Sequence, residues 1–129
     1  MRTMTTRRGG FTLIELLVVL AIIGTLITIA LPKYQHSVER SREAVLHQDL
    51  RVMRTAIDQY LADTGHYPDT LDDLVKNRYL RSLPEDPETG VSTTWVSVAP
   101  PEGVATAGVY DVRSGAVGVS LDGTAYAQW

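Results

Sequence analysis

Residues 11 to 31, FTLIELLVVLAIIGTLITIAL, form an apolar run with one charge in it, and no other feature restricts the fold of this 129-residue chain so sharply. As a helix rising about 1.5 Å per residue the run is roughly 31 Å long, close to the ~30 Å hydrocarbon thickness of a bilayer, which predicts one membrane-spanning helix. Arg7 and Arg8 precede it and only Lys33 follows closely. That asymmetry predicts a cytoplasmic N-terminus, with the rest of the chain on the far side. A cleaved secretory signal also sets basic residues before an apolar core, and paired arginines also mark a twin-arginine address. The run, however, exceeds the roughly 7 to 15 residues of a signal core, and Thr28 and Ala30 match a small-residue cleavage site only loosely.

The charge in the run is Glu15. A carboxylate inside a membrane helix costs about 2.5–3.5 kcal/mol on insertion scales and is ordinarily kept for a partner. Five residues in, Glu15 can also snorkel to the headgroups. If the chain were cut before Phe11, a positive α-amino group would appear on the same apolar helix end, a natural counter-ion for Glu15. Within one helix the first and fifth residues share a face; between chains, the Glu15 of one could neutralise the new N-terminus of the next.

Gly10-Phe11-Thr12-Leu13-Ile14-Glu15, behind a short basic leader and ahead of an unbroken apolar run, resembles a type IV prepilin signal. The resemblance implies cleavage between Gly10 and Phe11 by prepilin peptidase, N-methylation of Phe11, and a role for Glu15 in filament assembly. Gly24 and Pro32 match helix-weakening positions of that family, between which the helix partly melts on entry into a filament. Elementary chemistry agrees, since glycine is a poor helix former and proline withholds a donor and crowds the preceding turn.

Beyond Pro32 the pattern becomes amphipathic. Val38, Val45, Val52, Met53, Ala56, Ile57, Tyr60 and Leu61 fall mainly at three- and four-residue steps, so the helix is expected to continue to about Asp63 with an apolar stripe that needs cover. The charged positions Glu39, Arg40, Arg42, Glu43, Asp49, Arg51, Arg54 and Asp58 read as a solvated face. His36 and His47 are about 16 Å apart along a helix, too far to share a metal ion. Thr64-Gly65 ends the helix. After Pro68, Thr70 and Asp73 form a capping-box pair for a short helix through Leu71, Leu74 and Val75, which also explains Asp72 and Asp73 as helix-start charges. The Gly65-to-Pro68 turn and this helix resemble the major pseudopilin of type II secretion.

The remainder reads as β. Ser82 to Ser92 is rich in turn formers and acids and predicts an exposed loop. Thr93–Val98 and Gly108–Arg113 read as strands, joined by the proline-rich APPEGVATA, which holds at most a short edge strand. Asp122-Gly123 between β-capable flanks predicts a two-residue hairpin. A three- or four-stranded antiparallel sheet covering the long helix is expected, with Tyr60, Trp95, Tyr110 and Tyr126 as core or rim aromatics. The expected class is α+β: a long N-terminal helix, transmembrane in its first half, packed on a small C-terminal antiparallel sheet, type IV pilin-like. Its segments are a cleaved leader at 1–10, the membrane half of the helix at 11–31, the amphipathic half at 32–63, a connecting region with a short helix at 64–92, and the sheet region at 93–129. Asp111, Ser114, Ser120 and Asp122 set four oxygen donors within twelve residues, and calcium takes six to eight. Major pseudopilins carry calcium in a comparable final loop, but SGAVGVSLDG lacks the further acidic residues of that pattern and no EF-hand spacing occurs. The ordinary hairpin is preferred, and no cofactor is expected.

No nucleophile elbow, phosphate loop, HExxH or paired-carboxylate motif can be found, so no enzyme is expected. With no cysteine, disulfides and thiolate metal sites are excluded. Of twelve basic residues Arg2, Arg7 and Arg8 lie ahead of the apolar run; the other nine face fifteen acidic ones, a balance that argues against nucleic acid as a partner. The resemblance implies a pseudopilin subunit in the bacterial inner membrane with a periplasmic C-terminal domain. Its implied partners are further copies of itself in a helical filament, minor pseudopilins, prepilin peptidase, an inner-membrane platform protein and an assembly ATPase. A type IV pilus or DNA-uptake subunit shares the same N-terminus; a signal-anchored extracytoplasmic ligand-binding domain is the alternative of a different class.

Overall fold

The computed structural model describes residues 9–104 and 107–129. Helix α1 (Leu13–Thr64) is followed by α2 (Leu71–Lys76), strands β1 (Val96–Val98) and β2 (Asp111–Arg113), and a 3-10 turn at Tyr126–Gln128. The chain divides into two compact units, residues 1–37 and 38–129. The basic part of the expected leader, including Arg2, Arg7 and Arg8, lies outside the described residues, as do Ala105 and Thr106 in the proline-rich connection, where a short edge strand was allowed for.

In the second unit α1 buries Leu46, Leu50, Met53, Ala56, Ile57 and Tyr60. Positions 46, 50, 53, 57 and 60 advance by four, three, four and three, the steps that keep side chains on one face. Val45 and Val52, expected in this stripe, are instead 50% and 41% exposed. Each stands one residue off it, about 100° around the helix, and the covering layer is too narrow to reach them. That layer supplies Tyr67, Leu71, Leu74, Trp95, Val109, Val112, Ala116 and Tyr126. Of the four expected aromatics, Tyr60, Trp95 and Tyr126 are core, whereas Tyr110 is 43% exposed and lies at the rim.

The helix ends as its sequence predicts. Gly65 takes φ +78 and its N–H donates to the Leu61 carbonyl at 2.8 Å, a left-handed cap that costs glycine nothing. At the start of α2 the Thr70 N–H and hydroxyl both donate to the Asp73 carboxylate, at 2.9 and 3.0 Å. These bonds favour the ionised acid and hold the Asp73 carboxyl below its usual range, with Lys76 assisting.

The sheet is antiparallel but smaller than expected. β1 and β2 pair over three residues, Val96 with Arg113, Ser97 with Val112 and Val98 with Asp111. The ladder stops because Val109 sends its N–H to the Pro68 carbonyl at 2.7 Å. Gly108, at φ +124, permits that approach, since a Cβ there would come within 2.7 Å of the same oxygen. The last hairpin is also reduced. Ser120 N–H reaches the Thr124 carbonyl and Gly123 N–H the Ser120 carbonyl, at 2.8 and 2.9 Å, so the turn holds three residues, Leu121 to Gly123, rather than two. Its arms join by a single bridge, Val119 with Ala125, before the chain enters the 3-10 turn. The third and fourth strands therefore do not form among the described residues.

The Ser82–Ser92 segment has no helix or strand, as expected, but it is not wholly exposed. Asp86 is completely buried, with Oδ1 accepting the Glu88 N–H at 2.8 Å and Oδ2 the Ser114 hydroxyl at 2.5 Å. Trp95 donates its indole N–H to the Pro84 carbonyl at 2.8 Å. Among the described residues, every buried side-chain nitrogen or oxygen has a hydrogen-bond partner. Burial raises the Asp49 carboxyl, and the nearby Asp86 charge raises it further.

Candidate functional site

Gly9 to Thr12 precede the first helical turn and are exposed, with Phe11 87% accessible. A Cβ on Gly10 would meet nothing within 4 Å. Packing in this chain therefore does not require glycine there, and both residues flanking the Gly10–Phe11 bond are exposed.

Thr12 caps α1. Its carbonyl accepts the Leu16 N–H at 3.2 Å and its Oγ1 accepts the Glu15 N–H at 3.2 Å. Phe11 thus stands outside the helix in the uncut chain. The threonine claims the cap position first. Thr12-Leu13-Ile14-Glu15 has the spacing of a capping box, but the bond to Thr12 comes from the backbone N–H of Glu15, which any residue other than proline would supply there. A carboxylate in the first turn gains about 0.3–1 kcal/mol from the helix dipole. Membrane insertion costs it about 2.5–3.5 kcal/mol. Capping alone does not offset that cost; a cation or water must supply the difference.

From Leu13 to Leu31 every leucine, isoleucine and valine is exposed. Among the described residues, α1 is the helix long and apolar enough to cross a membrane. Its threonines are suited to such surroundings, because Thr25 donates to the Ala21 carbonyl at 2.8 Å and Thr28 to the Gly24 carbonyl at 2.7 Å, satisfying their hydroxyls without water. Gly24 has open space where a Cβ would stand, and in a helix interior it costs about 1 kcal/mol relative to alanine. Pro32 lies inside the helix and has no N–H to offer the Thr28 carbonyl. Gly24 and Pro32 are thus locally unfavourable choices in a helix that nevertheless runs through both.

The four candidate calcium donors have separate commitments. Asp111 Oδ1 accepts Arg54 Nε at 2.7 Å and its neighbour's Val112 N–H at 2.8 Å, while Arg54 also donates to the Val112 carbonyl at 3.0 Å. Ser114 donates to buried Asp86 and accepts the Ala116 N–H at 3.1 Å. Only Ser120 and Asp122 come together, the hydroxyl donating to the carboxylate, which also accepts the Thr124 N–H at 3.0 Å. Those bonds lower the Asp122 carboxyl to about 2. Among the described residues no group of three or more histidines or carboxylates is arranged to hold a metal ion. His47 is exposed, and its ring stacks on Trp129 with ring centroids 3.8 Å apart.

Glu43, Asp86 and Arg54 were missed as organising residues. A helical charge pattern marks which positions can be solvated, but not which of them a loop some eighty residues away will cover. For Asp86, its setting between two prolines in LPEDPETG was the available signal, since a short acidic side chain in a turn readily takes up neighbouring N–H groups.

Residues 5–31 match the family profile described as the prokaryotic N-terminal methylation motif. The chain is 32% identical over 99 residues to the type II secretion system core protein G of Escherichia coli, a match covering 64% of this chain and 68% of that protein. It is 32% identical over 97 residues to the protein of the same name from Pseudomonas aeruginosa, covering 63% and 68% respectively. Against the type IV major fimbrial protein FimA of Dichelobacter nodosus the identity is 50% over 54 residues, 42% of this chain and only 35% of that protein. No solved structure matches the chain significantly.

Proposed function

The chain belongs to the type IV pilin-like family that includes the type II secretion system core protein G, and from that premise we propose that it is a pseudopilin. In this reading prepilin peptidase cuts between Gly10 and Phe11 and methylates the new amine. The processed subunit leaves the inner membrane for a helical filament in the periplasm, which drives export of folded protein through an outer-membrane secretin. A platform protein and a cytoplasmic ATPase power assembly, and minor pseudopilins share the filament.

One observation carries the reading: the exposed apolar stretch of α1, residues 13–31, has a single charge, Glu15, in its first turn, four residues from the exposed Gly10–Phe11 bond. Cleavage would create a cation close to Glu15, and pairing it with the carboxylate of a neighbouring subunit would offset the insertion cost that the helix dipole leaves uncovered. Head-to-tail contacts that do not close on themselves then give an open helical assembly. Gly24 and Pro32 would lower the cost of locally unwinding the helix as the subunit enters it.

A type IV pilus subunit is the second reading, favoured by the 50% identity to a fimbrial protein. Secretion is preferred because core protein G is matched over 68% of its length and the fimbrial protein over 35%. Intact-mass measurement of the protein from membranes tests the shared premise. The expected product starts at N-methylated Phe11; a start after Ala30, or an uncut chain beside active peptidase, would overturn it. Gene neighbours encoding a secretin and a secretion ATPase would then favour secretion over adhesion.

A further inference from the structure

Major pseudopilins, which the chain resembles, carry calcium in a comparable final loop, and the residues here do not fit such a site. Of the four candidate oxygen donors, Asp111 holds a guanidinium at 2.7 Å, so a divalent cation on the same oxygen would face a positive charge at contact distance. Ser114 points into the buried Asp86 contact. Only the Ser120–Asp122 pair remains, far fewer ligands than the six to eight oxygens calcium requires.

The groups that the turn presents to α1 are of the wrong kind for any cation. Leu121 offers its N–H and Tyr126 its hydroxyl proton, and both go to one oxygen, Oε1 of Glu43, at 2.7 and 3.1 Å. A cation gathers lone pairs, whereas two converging donors call for an anion. One helical turn on, and on the same face, His47 stacks on Trp129 with planes 12° apart. Trp129 in turn meets Tyr126 edge to face at 5.3 Å. Two side chains of α1 thereby hold three points of the last nine residues.

We propose that Glu43 takes the place of a metal ion in this chain, its carboxylate clasping the C-terminal turn to α1 through the Leu121 amide and the Tyr126 hydroxyl. The fold of the final loop is then independent of calcium. The clasp lies within the isolated subunit and stands apart from the filament reading, so each can fail alone.

The test uses the full chain in detergent micelles. The thermal midpoint is expected to be the same in a chelator and in millimolar calcium, and isothermal titration with calcium chloride to show no saturable heat. Glu43→Ala is expected to open residues 114–129 to chymotrypsin roughly ten- to a hundredfold faster, the scale set by losing hydrogen bonds to a charged acceptor. Glu43→Gln, which retains an acceptor and the side chain's shape, should fall between. If Glu43→Ala does not fold, faster amide exchange at Leu121 in Glu43→Gln supports the clasp and unchanged exchange overturns it. A calcium-dependent rise in the wild-type midpoint, or unaltered C-terminal protection in a folded Glu43→Ala, would also overturn it.

Discussion

In residues 38–129 the buried polar side chains find partners inside the chain: Asp86 has Ser114 and the Glu88 amide, and Trp95 has the Pro84 carbonyl. In residues 9–37 the large side chains from Leu13 to Leu31 are exposed, and Gly10 and Gly24 stand where a larger residue would meet nothing. The first region is explained by its own contacts. The second contains choices that carry a local cost without a local gain, so their explanation lies in what surrounds the chain: a membrane, a peptidase, another subunit. Residues that a fold does not need are the ones from which an outside partner can be inferred.

The contrast breaks most sharply at Glu15. On the proposed role, Glu15→Ala removes filaments altogether, as seen by electron microscopy of cells overproducing the subunit. It should leave membrane insertion and the thermal midpoint of residues 38–129 unchanged. Normal filament yield would show that a partner charge is not why the glutamate is there; the bond from the backbone N–H of residue 15 to Thr12 survives the substitution and does not account for it. The reciprocal change is Ile57→Ala. Ile57 is fully buried in the core stripe, so the substitution should destabilise the domain by about 2–5 kcal/mol, measured by denaturant unfolding in micelles, while processing at Gly10 proceeds at the wild-type rate. A processing defect of equal size would mean that the peptidase reads the domain as well as the leader.

How far the sequence speaks follows the same division. The membrane-grade run, the α1 cap at Gly65 and the Thr70–Asp73 capping box all depend on residues within a few positions of one another, and each was legible. Tertiary competition decided the rest. The Val109 amide chose the Pro68 carbonyl over a longer ladder, Arg54 took Asp111 from the list of metal donors, and the covering layer reached Leu46 and Leu50 but not Val45 and Val52. In the candidate site the methylation-type motif was readable around Gly10-Phe11 and Glu15. The displacement of Phe11 from the helix was not, because it turns on one hydroxyl, that of Thr12, taking the cap.

The smallest expected effect concerns the clasp, and it probes the self-sufficient region in solution. Tyr126 is 8% exposed. Its phenol is pushed up from 10.0 to about 12, first by burial and then by its bond to Glu43, with Glu88 and Glu39 adding to the negative surroundings. Because the folded value is raised, stability linked to the proton on Tyr126 is fully present below pH 10 and is lost as pH climbs through about 12. Ultraviolet titration of the six tyrosines should therefore show a late-ionising component that Tyr126→Phe abolishes, with Tyr79, raised mainly by its bond to Asp63, left in place. Glu43→Gln should shift that component down without returning it to the ordinary range, since burial outweighs the carboxylate as its cause. A full return would mean that the charge of Glu43, rather than the packing of the C-terminal turn, keeps the Tyr126 proton in place.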